Sequence, residues 1–344
     1  MIYTGQIFDG GSYNPHTDIG GVAGQDGKQA VSGDRYIDCT FKNWRVGLRM
    51  NNCTDVVADG CMFDNCGYPM FINGGGPGVI IRGGYAKGGL QGPRFEGGAH
   101  DFVVEDFESS YMKEDNYAVM PSDAEGDGAS THESTYNGTF RRCNFHHNYD
   151  GGFDIKGNGH KLIDCISQYN QGGNFKFFHL NWELRNSLSS NGVKYSNGNG
   201  GDGIFIANNS KGIMSSVTTK DNGGTDMFML SGSFAIIDNS IIMSPRNPLF
   251  ISFTSSYIKG TAEPVIDPSW GYQTPVTTPP VTPPTPTLKG INIVDGYYRV
   301  IVNGIEISKH SEYVQAIESA TNQLLANPDA NVNLTFDGGK VVRK

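Results

Sequence analysis

Charge is scarce in this chain of 344 residues: Asp, Glu, Lys and Arg make up only 18% of it, and the balance is acidic, with a formal charge of −9. Without clustered Lys and Arg there is no footprint for a phosphate backbone, so nucleic acid is not an expected partner. Long apolar runs are missing too; no stretch approaches the length of a membrane span, and no membrane partner is expected. The opening segment MIYTGQIFDGGSY has no charged start followed by an apolar run, so no secretory signal is visible in it. The expected location is extracellular or on a virion, which leaves its host by lysis. No CxxC spacing occurs among the six Cys, which argues against a zinc or redox motif.

What the chain does have is glycine, 47 of them, with many Asn and Asp. That is the composition of short strands separated by tight turns, and the expected class is all-β. A repeat runs through it. IDCTF at Cys39 recurs as ADGCMF at Cys61, and RRCNF at Cys143 as IDCIS at Cys165, each pair 22 residues apart. Weaker copies centre on Gly84, Phe107, Ser187, Ser216 and Ser240, and a second apolar burst follows each about ten residues later, as in VGLRM, GGFDIK and DMFML. A unit of this size buries its apolar side only against the next unit, so the units stack. The expected architecture is a right-handed parallel β-helix over residues 1–272, with its cysteines stacked inside as small apolar residues. Residues 1–34 form a first coil or a cap.

Two units exceed the period. MKEDNYAVMPSDAEGDGASTHES lies between Phe107 and Cys143, and NGVKYSNGNGGDG between Ser187 and Ser216. Insertions between stacked units map to loops on one face, often the binding face.

After Trp270 the sequence QTPVTTPPVTPPTPT, within residues 273–288, reads as an extended Pro/Thr linker. Residues 289–344 read as a small α+β domain of ββαβ order: a hairpin turning at Asn303-Gly304, an amphipathic helix from Ser311 to Asn327, and the strand VNLTF. The stretch VNGIEISKHSEYVQAIE is similar to small C-terminal modules on proteins of marine phages.

The candidate site follows from register. In GGFDIK, alternation turns Phe153 and Ile155 inward and Asp154 and Lys156 outward. One unit later Lys176 sits above Asp154, with Asp150 close by. The inserted acidic segment, with Glu114, Asp115, Asp123, Glu125 and Asp127, lies one unit below. Asp150, Asp154 and Asp115 offer the hard oxygen ligands that Ca²⁺ prefers. The same residues also read as a solvated acidic loop with a compensating lysine. Lys156, Arg142 and Lys194, with Arg141 and Lys161, are candidates to hold substrate carboxylates; Trp182, Tyr169, Phe178 and Tyr195 are candidates to stack on sugars.

YDGGFD from Tyr149 and NFK from Asn174 resemble the two site elements of polysaccharide lyase family nine, the calcium-dependent pectate lyases built on a long parallel β-helix. The resemblance covers roughly residues 105–230. It implies a lyase acting on an anionic, uronate-containing polysaccharide such as pectate. Ca²⁺ would be the cofactor and Lys176 the base that removes the C5 proton in a β-elimination. Gly151 stands where that family commonly carries a second Asp. Three other readings stay open: a glycoside hydrolase using Asp150 and Asp154, a uronan C5-epimerase, and a non-catalytic glycan-binding or structural β-helix of tail-spike type. The sequence leaves the oligomeric state open.

Overall fold

The alternation that turns Phe153 and Ile155 away from Asp154 decides how each turn of the chain is built. Each turn contributes three short strands, most of them three residues long, and each strand pairs in parallel with its counterpart one turn away. The result is a parallel β-helix of three sheets, holding 11, 11 and 10 strands among the described residues. The computed structural model describes residues 1–15, 26–113, 126–195, 200–230 and 232–243. It also gives the backbone of strands at 249–251, 256–259, 265–266, 291–293, 298–302, 305–310 and 332–337.

The 22-residue period sets the register. Thr139 pairs with Lys161 in the first sheet, Asn144 with Ile166 in the second and Asp154 with Lys176 in the third. Of residues 1–34, the strands Ile2–Thr4, Ile7–Asp9 and Asp26–Gln29 each pair with the next turn, as a first coil does and a cap does not. The corner between first and second sheets turns on one residue in the left-handed region, which Asp and Asn tolerate better than most. Asp38, Asp106, Arg142, Asp164, Asn186, Ser216 and Asn239 hold that place. Ser216 is thereby corrected as a repeat position: it is the corner residue, and the buried position of its turn is Val217.

Inside the coil identical residues stack. Phe153 and Phe175 stack with ring centres 5.0 Å apart and planes nearly parallel, and Phe8, Phe41 and Phe63 form a similar column. All six cysteines are buried free thiols, and burial pushes Cys61 and Cys66 up to about 12. Behind the third sheet runs a buried polar ladder: Asn170 donates to Asn174, Asn174 to Asn222, and Asn222 to Asp226.

Both insertions enter at the same corner, between the second and third sheets. One separates Glu108–Ser110 from Ala129–Thr131, the other Leu188–Ser190 from Asp202–Ile206. They bracket the two third-sheet strands Gly151–Ile155 and Gly173–Phe177.

The chain divides into two units, Met1–Tyr272 and Gln273–Lys344. In the second, the strands Tyr298–Val302 and Ile305–His310 pair antiparallel as the hairpin requires, and Val332–Asp337 joins them. A further strand, Ile291–Ile293, pairs with Val332–Asp337 and was not expected. The helix expected at 311–327 and the linker lie outside the described residues.

Candidate functional site

Three successive third-sheet strands carry the site. Ala129 pairs with Phe153 and Phe153 with Phe175, so Asp127, Gly151 and Gly173 fall in one column and Ser130, Asp154 and Lys176 in another. From the upper strand the Lys176 side chain folds back along the glycine column. A Cβ on Gly151 would stand 2.6 Å from Lys176 Cε, and one on Gly173 would stand 3.3 Å from its Cγ. The two glycines therefore make the channel that the lysine occupies.

The ammonium ends among three carboxylates. Nζ is 2.9 Å from Asp127 Oδ1, 2.8 Å from Asp150 Oδ2 and 3.8 Å from Asp154 Oδ2. Each acid has a further partner: the Gly151 N–H donates to Asp127 Oδ1, the Tyr195 hydroxyl donates to Asp150 Oδ1 at 2.5 Å, and Lys156 Nζ lies 2.8 Å from Asp154 Oδ2. Asp127 and Asp154 are sealed from solvent, whereas the Asp150 side chain remains 17% exposed and that of Lys176 10%. Asp150, Lys176 and Tyr195 thus form the accessible edge of a buried ion cluster.

Burial opposes charge on Lys176, but the fields of Asp127, Asp150 and Asp154 outweigh it and hold the ammonium well above its ordinary value. Burial likewise opposes ionisation of Asp150, yet the Lys176 charge and the hydrogen bonds from Lys176 and Tyr195 keep that carboxyl below its usual range. Asp127, wholly enclosed, is pushed up by burial to about 7. Burial and the Asp150 charge raise Tyr195, which stays a protonated donor.

These surroundings bear on two expectations. A general base must be deprotonated to act, and the three carboxylates around Lys176 oppose that by favouring its charged form. The Ca²⁺ set does not fit either. Lys176 Nζ fills the space between the carboxylates, 2.8 to 3.8 Å from their oxygens, where calcium would need several oxygens at 2.3–2.6 Å. Among the described residues no three His, Cys, Asp or Glu side chains are arranged to hold a metal. Asp115, the third expected ligand, lies outside the described residues.

Of the expected substrate-binding residues, Lys156 belongs to the cluster through Asp154, and its ammonium stands 5.9 Å over the half-buried Phe178 ring. Lys194 is exposed beside Tyr195, and its charge acts on Asp202. Arg142 does not reach the site. It is the corner residue between the first two sheets, paired with Asp106 at 2.6 Å. Arg141 and Lys161 lie on the first sheet, paired with Glu105 and Glu183. Trp182 is not a sugar platform. It points into the coil, 1% exposed, stacked on Phe177, with its indole N–H donating to Ser210.

Register shows a wider feature that the sequence reading passed over. Through Lys176 runs one outward column of the third sheet: Arg49, Phe71, Arg94, Ser130, Asp154, Lys176, Phe205 and Phe228. At ~4.8 Å per turn its eight positions span about 34 Å. Phe205 and Phe228 are half-buried and stacked 5.6 Å apart, while Arg49 lies 4.8 Å over Phe71.

Among solved structures, the chain is similar to the periplasmic alginate epimerase AlgG, at 13% identity and a TM-score of 0.47 over 68% of this chain and 50% of that one. It is similar to pectate lyase Pel9A at 12% and 0.41, over 77% and 78%. The gp42 tailspike of Acinetobacter phage vb_AbaP_AS12 follows at 10% and 0.42, over 70% and 56%. The chain thus spans half the length of the epimerase. No curated protein sequence matches it. A family profile, the right handed beta helix region, matches residues 30–198, and the coil is a right-handed parallel β-helix.

Proposed function

We propose that this protein binds a polysaccharide along the outward column of the third sheet and cleaves it at Asp150, Tyr195 and Lys176 by β-elimination at a uronate. The observation that carries the reading is the accessible edge of the ion cluster. It offers an ionised carboxylate, a protonated phenol hydrogen-bonded to it and an ammonium in contact with it. A long, register-aligned face suits a polymer rather than a small ligand.

The three groups divide the elimination among them. Removal of the C5 proton builds negative charge on the uronate carboxylate, and Lys176, with Lys156 nearby, stabilises that charge as a fixed cation. Asp150 takes the proton. The electron pair forms the C4–C5 double bond as the bond to the C4 oxygen breaks, and Tyr195 gives its proton to the departing oxygen. The Tyr195–Asp150 hydrogen bond then returns the proton from Asp150 to the phenolate, which restores both groups.

The test is incubation with pectate, alginate and other uronate polymers while following the ultraviolet absorbance of unsaturated sugar ends. Growth of that signal, lost in Asp150→Asn, is the expected result. A second reading, glycan binding without cleavage, is favoured by the near-complete burial of Lys176 and Asp154. Polymer retained on the protein with neither unsaturated ends nor shortened chains would establish it in place of the lyase.

A further inference from the structure

We infer that Lys176 is the built-in cation of the third-sheet carboxylate cluster, filling the position a divalent metal would need, so that the site operates without a metal ion. The ammonium stands within 2.9 Å of Asp127 and Asp150 and 3.8 Å of Asp154, and it reaches that point through a channel made by the absent side chains of Gly151 and Gly173. The acids are already committed elsewhere. Asp127 accepts from the Gly151 N–H, Asp150 from Tyr195, and Asp154 pairs with Lys156. Calcium would need six to eight oxygens at shorter distances, and it would need the space that Nζ holds. One fixed positive charge on the chain thus does what a diffusible ion would otherwise supply: it lets several buried acids stand side by side.

The inference deepens the proposed elimination, in which the cation facing the substrate carboxylate is then the lysine itself. Its claim about the cluster is tested by metal binding, where it can fail while cleavage still holds, and the reverse.

The experiment uses the full chain, Tb³⁺ as a probe whose luminescence nearby Tyr195 and Tyr149 can sensitise, and thermal melting in Ca²⁺ or EDTA. The wild type should show no Tb³⁺ signal that Asp127→Asn removes, and its melting should be the same in EDTA and in millimolar Ca²⁺. Lys176→Met opens the cage to a divalent ion. It should bind Tb³⁺ at least a hundredfold more tightly than the wild type does, with Ca²⁺ competing, and lose that binding when Asp127→Asn is added. If Lys176→Met does not fold alone, recovery of its melting transition in millimolar Ca²⁺ is the same result read differently. Wild-type Tb³⁺ or Ca²⁺ binding abolished by Asp127→Asn overturns the inference. So does a Lys176→Met protein that neither binds a divalent ion nor is refolded by one.

Discussion

Asp154 and Lys176 are register partners on neighbouring strands, yet the lysine's nearest carboxylate is Asp150, reached by folding back over two glycines. The charge that faces outward by register is therefore spent on an inward cluster. Truncating it leaves acids buried without their cation. Lys176→Ala is expected to lose about 3–5 kcal/mol of stability, read from urea or thermal melts, because removal of one member of a buried ion set strands the others.

Tyr195→Phe keeps the ring and removes the hydroxyl that donates to Asp150. Cleavage is expected to fall by about 10²–10⁴, the usual worth of a positioned acid. Stability should change by about 1 kcal/mol, the net worth of one hydrogen bond. A variant that cleaves at the wild-type rate removes Tyr195 from the chemistry.

Asp226 gives a pH signature separate from the site. Burial raises it to about 7 from 3.8, against hydrogen bonds from Asn222 and Thr219. The folded chain therefore holds this proton more tightly than the unfolded chain does. The resulting stability is present in full at low pH and is lost as pH rises from about 4 to about 7. The loss is on the order of 4 kcal/mol at most, at ~1.36 kcal/mol per unit. Asp226→Asn should flatten this limb of the pH–melting curve; an unchanged slope would assign the limb to another group.

Phe205→Ala and Phe228→Ala remove outward rings that hold up no core. Each should weaken polymer retention about tenfold, on the scale of ~1.5 kcal/mol for a well-placed aromatic contact, with melting nearly unchanged. Affinity electrophoresis in polymer-containing gels reads this directly.

Trp182→Phe, by contrast, should act on the fold alone. It deletes part of a packed ring and the bond to Ser210, so a loss of about 1–3 kcal/mol with unaltered polymer affinity is expected.

Much of this was readable from spacing. Equal turns of 22 residues fix register, which is why Asp154 below Lys176 and the columns Cys39–Cys61 and Cys143–Cys165 follow from counting. Counting fails where a turn is lengthened. Asp127 sits at the end of an insertion, and only the pairing of Ala129 with Phe153 brings it under Gly151. Tyr195 lies in the other insertion and has no periodic position at all. Trp182 could have been placed: alternation in Leu180–Arg185 turns it inward with Leu184 and leaves Glu183 and Arg185 half-exposed. That Lys176 bends back was not readable, because it depends on side-chain room above Gly151 and Gly173 rather than on the identity of Lys176 itself.

Every cysteine lies behind the sheets as a free thiol, and Cys39, Cys61, Cys143 and Cys165 are spread along the coil axis. Each turn leans only on its two neighbours, so a stacked coil opens turn by turn from its weaker end. A thiol reagent added to the folded protein would therefore write a timetable: the order in which these four are alkylated records the direction in which the coil unwinds.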